Sequence, residues 1–120
     1  MALFLAYQNL GITKNITITK ADGTTLIPQV NDEIRAIVGK EGRLGVNNAD
    51  AKLVVASNAA TANGSTFTKD ESDGLNVLRL DASDLNFEAG TYTLFLDYYD
   101  NADAQEWKTI DRQVFQLIDT

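Results

Sequence analysis

The clearest structural signal in this chain is the run Gly90-Thr91-Tyr92-Thr93-Leu94-Phe95-Leu96-Asp97-Tyr98-Tyr99. Large apolar or aromatic side chains occupy every second position: Tyr92, Leu94, Leu96 and Tyr98. The positions between them are mixed in character: Thr91, Thr93, Phe95, Asp97 and Tyr99. Because successive side chains of a β-strand point to opposite faces, this alternation predicts one long strand with a buried face.

Shorter alternating segments recur on both sides of this run. We predict further strands over residues 11–20, 24–28, 33–38, 66–69, 75–81 and 107–118. The dipeptides Asp22-Gly23, Asn63-Gly64 and Asp73-Gly74 lie between several of these segments. Such dipeptides are typical of tight hairpin turns, which need a positive φ. The chain is therefore expected to reverse direction repeatedly.

The segment 52–57 is ambiguous between strand and helix. Asn48 could cap a helix that runs through the following alanines and ends near Gly64. Against this, Leu53-Val54-Val55 is short and rich in β-branched residues, and Ser57-Asn58 interrupts it. We therefore predict a strand over residues 52–57.

Three further features are local. Pro28 lacks a backbone donor, so we expect it at a strand end or a sheet edge. Residues 81–85 are predicted to form one helical turn. In the last strand the apolar positions change phase, from Ile110 and Val114 to Phe115 and Leu117. This change predicts a β-bulge there, or burial of both faces near the end.

These elements predict an all-β fold. About eight short strands without a strong helix are typical of an antiparallel sandwich or barrel. The length of 120 residues suits one domain, over residues 1–120. With 44% hydrophobic residues, such a domain can bury a core without disulfides.

The composition argues against several classes of function. The chain has neither Cys nor His, so it offers no imidazole base, thiolate nucleophile or thiolate zinc site. Its 17 Asp and Glu against 10 Lys and Arg give a formal net charge of −7. This charge disfavours nucleic acids and acidic membranes as partners. We expect no enzyme activity, no cofactor and no metal, and we recognise no targeting signal in residues 1–7.

The segment before the long strand carries a recognisable corner. It reads Leu80-Asp81-Ala82-Ser83-Asp84-Leu85-Asn86-Phe87-Glu88-Ala89 and leads into Gly90-Thr91-Tyr92-Thr93-Leu94. This arrangement resembles the corner of immunoglobulin-type sandwiches, in which a tyrosine hydroxyl bonds back to upstream backbone. The structural corner would consist of Gly90, Tyr92 and Leu94. The resemblance implies an antiparallel immunoglobulin-like β-sandwich of about seven or eight strands.

The pattern as a whole resembles the small immunoglobulin-like domains of bacteriophage virion proteins. It includes Val30-Asn31-Asp32-Glu33-Ile34, the Leu-x-Leu strand into the corner, and Ile110-Asp111-Arg112-Gln113-Val114-Phe115. The resemblance implies a structural role in a virion that is assembled in the host cytoplasm. We expect a capsid decoration or cement protein. Its main partner would be the major capsid protein, and it could also form a homo-oligomer. A tail, neck or baseplate component is the alternative.

Calcium binding and glycoside hydrolysis fit the sequence less well than a structural role. The acidic loop of Asp97, Asp100, Asn101, Asp103 and Glu106 carries oxygen ligands for Ca²⁺, but it lacks the EF-hand spacing and suits a solvated loop better. The carboxylates of Asp97 and Asp111 are a weak match to a glycosidase pair.

A carbohydrate-binding adhesion module is the alternative from a different class. Phe95, Tyr99 and Trp107 could project from one sheet face and stack on a sugar, or they could lie in the core or in a subunit interface. Exposed aromatics beside acidic residues would favour sugar binding.

The apolar segment 1–7 is predicted to be an assembly arm or an added edge strand. Its candidate interface residues are Leu3, Phe4 and Leu5, each of which gains roughly 1.5–3 kcal/mol by leaving water. Phe95, Tyr99 and Trp107 complete the predicted interface set.

Overall fold

Eight strands and one short helical turn make up the described part of the chain. The structure, a computed structural model, describes residues 4–40, 51–103 and 105–119. The strands are β1 Phe4–Tyr7, β2 Ile12–Ile16, β3 Glu33–Gly39, β4 Leu53–Ala56, β5 Thr66–Thr68, β6 Asn76–Leu80, β7 Gly90–Tyr99 and β8 Trp107–Ile118. A 3-10 turn, Ala82–Asp84, precedes β7, as predicted.

The strands form two sheets. The larger sheet has the order β1-β8-β7-β3-β4 and the smaller sheet has the order β2-β6-β5. Their apolar inner faces share one core, so the all-β, two-sheet prediction is confirmed. The largest fully buried side chains of this core include Tyr92, Phe67, Phe115, Ile16, Ile18, Ile34, Leu78, Leu80, Leu85 and Leu94.

One strand pair departs from the antiparallel prediction. β1 runs parallel to β8, with Phe4 opposite Phe115 and Tyr7 opposite Ile118. The other pairs are antiparallel. Hairpin signals report only pairings between neighbours in sequence, whereas β1 and β8 lie at opposite ends of the described chain. The turn signals therefore gave no indication of a parallel pair.

The N-terminal segment is an edge strand of its own domain over residues 4–7. Phe4 and Ala6 face the core, and Leu5 and Tyr7 face solvent. The ring of Phe4 stacks on Phe115 at 5.0 Å between centroids. The prediction of Phe4 as an interface residue is therefore wrong, because the parallel pairing turns it inward. Leu3 lies outside the described residues.

Two of the three predicted turns close hairpins or hairpin-like reversals. Around Asp22-Gly23, Gly23 has φ 87° and Thr19 bridges to Thr25. Around Asp73-Gly74, β5 and β6 pair antiparallel, and Gly74 has φ 72°. A Cβ on Gly74 would meet the carbonyl oxygen of Leu26 at 2.6 Å, so only glycine fits there.

The third predicted hairpin is wrong as a strand pairing. Asn63-Gly64 lies between β4 in the larger sheet and β5 in the smaller sheet, so it carries the chain from one layer to the other. The turn is held by the Asp84 carboxylate, which accepts hydrogen bonds from Thr61, Asn63 and Ser65. The dipeptide predicts the reversal correctly, but it does not reveal which sheet the next strand joins.

The segment predicted over residues 52–57 is a strand rather than a helix. β4 pairs with β3, and Val55 is fully buried. Asn48, the cap of the alternative helix, lies outside the described residues. Pro28 lies in the connection between β2 and β3, outside any described strand.

The predicted irregularity in the last strand is a bulge at Ile110. Leu96 is opposite Asp111, whereas Asp97 is opposite Thr109, so Ile110 is an extra residue on β8. Past the bulge, Phe115 and Leu117 face the core. The bulge therefore changes which face the odd-numbered residues of β8 occupy.

Candidate functional site

The predicted corner lies at the Gly90 end of β7 and is entirely internal. Tyr92 is 1% exposed, and its hydroxyl donates to the carbonyl oxygen of Glu88. Burial is the main reason that the pKa of the Tyr92 hydroxyl is raised. Leu94 is also fully buried. This geometry agrees with the corner expectation and gives these residues a stabilising role.

The opposite end of β7 carries a cleft. The cleft has a volume of about 380 Å³ and is lined by Asn31, Glu33, Asn58, Tyr99, Asn101 and Trp107. These residues come from the ends of β3, β4, β7 and β8 or from the connections beside them. Ligand sites typically enclose about 300–1,000 Å³, so this cleft is large enough for one small ligand.

The floor of the cleft is a row across three strands of the larger sheet. Glu33 is in register with Tyr99, and Tyr99 is in register with Trp107. The Tyr99 and Trp107 rings lie 5.6 Å apart at 57°. Both side chains are half-buried. The floor therefore places two half-buried aromatic rings beside a carboxylate.

A buried ion pair holds the indole of Trp107 in place. The Arg35 guanidinium lies 4.3 Å from the centre of the Trp107 ring. Its Nε donates to Asp97 at 2.7 Å, and Asp97 also accepts a hydrogen bond from Thr109. Asp97 is 2% exposed, so this pair is largely shielded from solvent. Cation–π contacts of this kind fix the orientation of both groups.

The walls of the cleft are tied together by Asp32. This carboxylate is 4% exposed and accepts hydrogen bonds from the backbone of Gln29 and Asn101 and from the Tyr98 hydroxyl. Burial works to raise the pKa of Asp32, but these hydrogen bonds together hold it below its usual value. Burial and the bond to Asp32 raise the pKa of Tyr98 well above its usual range.

Two further contacts fix the residues around Asp32 and Glu33. The Lys69 ammonium donates to the backbone carbonyls of Gln29, Val30 and Asp32. The Glu33 carboxylate accepts from the Ser57 hydroxyl at 2.6 Å. The segments that carry Asn31, Asn58 and Asn101 are thus held by bonds that do not involve their own side-chain amides.

Several carboxylates of the acidic loop already have partners within the domain. Asp97 is paired with Arg35, the Asp100 carboxylate accepts from the backbone of Ala102, and Glu106 lies 3.6 Å from Lys108. Within residues 4–40, 51–103 and 105–119, no three acidic side chains lie close enough to hold a metal ion.

Asp97 and Asp111 lie on opposite faces of the larger sheet. Asp97 faces outward beside Trp107, whereas Asp111 accepts from the backbone of Thr19 at 2.9 Å between the sheets. Two carboxylates on opposite faces cannot flank one glycosidic bond.

The predicted interface set is divided by the structure. Tyr99 and Trp107 meet at the cleft, but Phe95 is 1% exposed and packs with Ile37, Ala51 and Val54. Phe95 is therefore wrong as an interface residue, because its own chain covers it. Leu5 is 48% exposed on β1, at the other edge of the sheet.

The sequence did not single out three of the residues that line the cleft, namely Asn31, Glu33 and Asn58. Each adjoins a strand end, and the only sequence signal for them is a polar residue next to an apolar strand. Such residues occur at most strand ends, so the signal does not single these three out.

No protein-family model matches this chain, and no curated protein matches it. In the part of the chain that the structure describes, no helix is long and apolar enough to cross a membrane.

Proposed function

We propose that this chain is a non-enzymatic structural protein of a virus particle, an immunoglobulin-like β-sandwich that binds capsid subunits as a decoration or cement protein. Its partner is the major capsid protein. A position in the tail, neck or baseplate is the alternative within the same class. The observation that carries the proposal is the strand order combined with the Tyr92 corner.

The strand order supports the immunoglobulin-like part of the proposal. In that fold one sheet contains strands B, E and D, and the other contains G, F and C, with C′ added in variable-type domains. If β2 to β8 are taken as B, C, C′, D, E, F and G, the sheets β2-β6-β5 and β8-β7-β3-β4 have this order. Tyr92 is the third residue of β7, which matches the tyrosine near the start of strand F.

The exposed edge of β1 supports a role in binding another protein. Leu5, Tyr7 and Leu10 are 48%, 44% and 54% exposed. β1 is the last strand of its sheet, so its outer edge has no strand partner among the described residues. A free edge with apolar side chains can accept a strand or apolar surface from another chain. We assign this edge to the capsid subunit.

The hydrogen bonds and the ion pair made by three carboxylates support a non-enzymatic role. Asp32, Asp84 and Asp97 each accept hydrogen bonds or an ion pair from the domain itself. These bonds join strands and turns of the sandwich, so the three carboxylates contribute to stability.

Particle attachment can be tested with particles assembled from the same genome but without this chain. The purified chain should sediment with them in a fixed ratio to the major capsid protein and raise the temperature at which they release their nucleic acid. Tyr7→Ser and Leu5→Lys should weaken binding about tenfold or more, because both alter the β1 edge. Val30→Ser is the matched control, since Val30 is 71% exposed at the opposite end of the domain.

The result has a clear contrary outcome. If the chain stays in the supernatant, or if it is absent from purified complete particles, the virion role is wrong. Equal loss of binding in Val30→Ser would show that the β1 edge is not the contact surface.

A further inference from the structure

We propose that the cleft beside Trp107 binds one neutral pyranose sugar, a function that goes beyond particle attachment and does not depend on it. Pyranoses offer an apolar face of C–H groups and a rim of hydroxyls. A site that recognises them therefore needs an aromatic surface together with planar polar groups at its rim.

The aromatic surface is supplied by the cleft floor. Trp107 and Tyr99 are both half-buried there, with their rings tilted at 57° rather than stacked face to face. Because Arg35 lies over the Trp107 ring, the cation–π contact favours one orientation of the indole before a ligand binds. A ring fixed in this way loses little conformational entropy when a ligand binds.

The polar rim is supplied by three amides. Asn31, Asn58 and Asn101 all line the cleft, and their side-chain amides have no hydrogen-bond partner among the described residues. Each amide offers one acceptor oxygen and two donor hydrogens, which match the hydroxyls of a sugar. The backbone N–H of Asn101 donates to Asp32, and the carbonyl of Val30, next to Asn31, accepts from Lys69. These bonds fix the backbone at two of the three amides.

The charge of the cleft favours a neutral ligand. Among the residues that the structure describes, Glu33 is the one charged side chain that lines the cleft, and the nearby Arg35 is paired with Asp97. A carboxylate accepts hydrogen bonds from hydroxyls but repels an acidic sugar. We therefore infer a neutral hexopyranose or N-acetylhexosamine rather than a uronic or sialic acid.

The experiment uses the intrinsic fluorescence of Trp107, which is the only tryptophan in the chain. The intact chain is titrated with methyl α-glucopyranoside, methyl α-mannopyranoside, methyl β-galactopyranoside and N-acetylglucosamine. At the ligand efficiency usual for small molecules, a sugar of this size binds with a Kd on the order of 1 mM. At least one of these sugars should give a saturable change, and glucuronate should bind roughly tenfold more weakly.

Two variants assign the binding to the cleft. Asn101→Ala should weaken it about tenfold, because it removes hydrogen bonds to the sugar without changing the backbone bond to Asp32. Asn86→Ala is the matched control, an exposed asparagine beyond the opposite end of β7, and should bind as the unchanged chain does. Glu33→Gln should reduce the discrimination against glucuronate while its side-chain oxygen still accepts from Ser57.

Chemical-shift mapping by NMR provides an independent readout of the same titrations. The side-chain amide signals of Asn31, Asn58 and Asn101 should move on binding. The proposal is overturned if no sugar gives a saturable change up to about 100 mM, roughly a hundred times the expected Kd. It is also overturned if the shifts map elsewhere, if Asn101→Ala binds normally, or if glucuronate binds as tightly as the neutral sugars.

Discussion

Two groups of aromatic rings lie at opposite ends of β7 and β8, and the domain uses them differently. The corner group consists of Phe4, Phe87, Tyr92 and Phe115, whose successive ring centroids are 4.9 to 6.0 Å apart. The cleft group consists of Tyr99 and Trp107, which contact each other and line an open cleft. In the first group Phe4, Tyr92 and Phe115 are buried and Phe87 packs against them, whereas both rings of the second group are half-buried.

The same residue types contribute to stability at one end of the sheet and line a candidate binding site at the other. In the corner group the hydroxyl of Tyr92 is satisfied by the carbonyl of Glu88, and its ring is buried. In the cleft group the ion pair and backbone bonds hold the site in shape but leave three amides available. Internal satisfaction of polar groups therefore distinguishes the stabilising end from the candidate binding end.

The largest effect is expected from Phe115→Ala in the corner group. Phe115 is fully buried between Phe4 and Tyr92, so its removal leaves a cavity in the core. The free energy of unfolding should fall by about 3–5 kcal/mol, measured by urea denaturation. Tyr99→Ala is the control, because Tyr99 belongs to the half-buried cleft group. It should lower the free energy of unfolding by less than half of the loss in Phe115→Ala. Equal losses would remove the distinction between the two groups.

A slightly smaller loss is expected from Asp32→Ala at the cleft end. The substitution leaves two backbone N–H groups and the Tyr98 hydroxyl without their acceptor. Since each unsatisfied buried donor costs roughly 1–3 kcal/mol, the unfolding free energy should fall by about 3 kcal/mol. Asp103→Ala, at an exposed position in the connection between β7 and β8, should change the unfolding free energy by less than about 0.5 kcal/mol. An unchanged midpoint for Asp32→Ala would mean that the cleft walls do not depend on this carboxylate.

Tyr92→Phe removes a single hydrogen bond from the corner group. The ring and its packing stay, and the carbonyl of Glu88 loses its donor. We expect a loss of about 0.5–1.5 kcal/mol in the same denaturation measurement. Tyr7→Phe removes an exposed hydroxyl and should leave the midpoint unchanged. If both variants behave alike, the corner bond contributes nothing to stability.

The pH dependence of stability should reflect carboxylates near both ends. Hydrogen bonds to Asp32 and Asp84 lower their pKa values in the folded state, although burial opposes the shift. The unfolded chain therefore binds more protons than the folded chain between the folded values and about 3.9. The stability that these two carboxylates contribute is therefore fully present above about pH 5. This contribution is lost as the pH falls through 4 towards the pKa values of the folded state.

This dependence can be assigned with one variant. Asp84→Asn should make the loss of stability below about pH 5 less steep, because one of the carboxyl groups with a lowered pKa is gone. Thermal melts between about pH 3 and pH 6 measure the effect. A Tm that stays constant over this range in the unchanged chain would contradict the shifts.

The smallest effect is expected from metal ions. The carboxylates of the loop beside the cleft are paired or dispersed, so neither EDTA nor millimolar Ca²⁺ should change the Tm. A ligand that binds only the folded state would raise it. A rise of several degrees with Ca²⁺ would show that this end of the domain takes a cation after all.

Much of the fold could be predicted because its signals are local. The bounds of β7 follow from strict alternation, and those of β8 from alternation with one change of phase. The dipeptides Asp22-Gly23 and Asp73-Gly74 indicate a positive φ at their glycines. Both turns can therefore be predicted from a few neighbouring residues. The parallel pairing of β1, the layer change at Asn63-Gly64 and the burial of Phe95 depend on contacts between distant segments. No local pattern encodes them.

The candidate site was predicted only in part for the same reason. Tyr99 and Trp107 are conspicuous as large aromatics near strand ends, and they do meet. Asn31, Glu33 and Asn58 reach the cleft only because β3 and β4 lie beside β7 in the sheet. Asp32 reads as an ordinary polar residue in the sequence, and its three donors come from three separate positions.

The bulge at Ile110 determines how the cleft responds to the loss of a residue in β8. Counting back in steps of two from Leu117 and Phe115, an unbroken strand would turn Trp107 toward the core. The extra residue instead brings Trp107 to the outer face beside Arg35. Because Ile110 is the extra residue, loss of its codon would join Thr109 directly to Asp111 and leave a regular strand in which Trp107 keeps its outward side. The strand can therefore lose this one residue without turning the indole away from the cleft, although the core would lose the Ile110 side chain that packs against it.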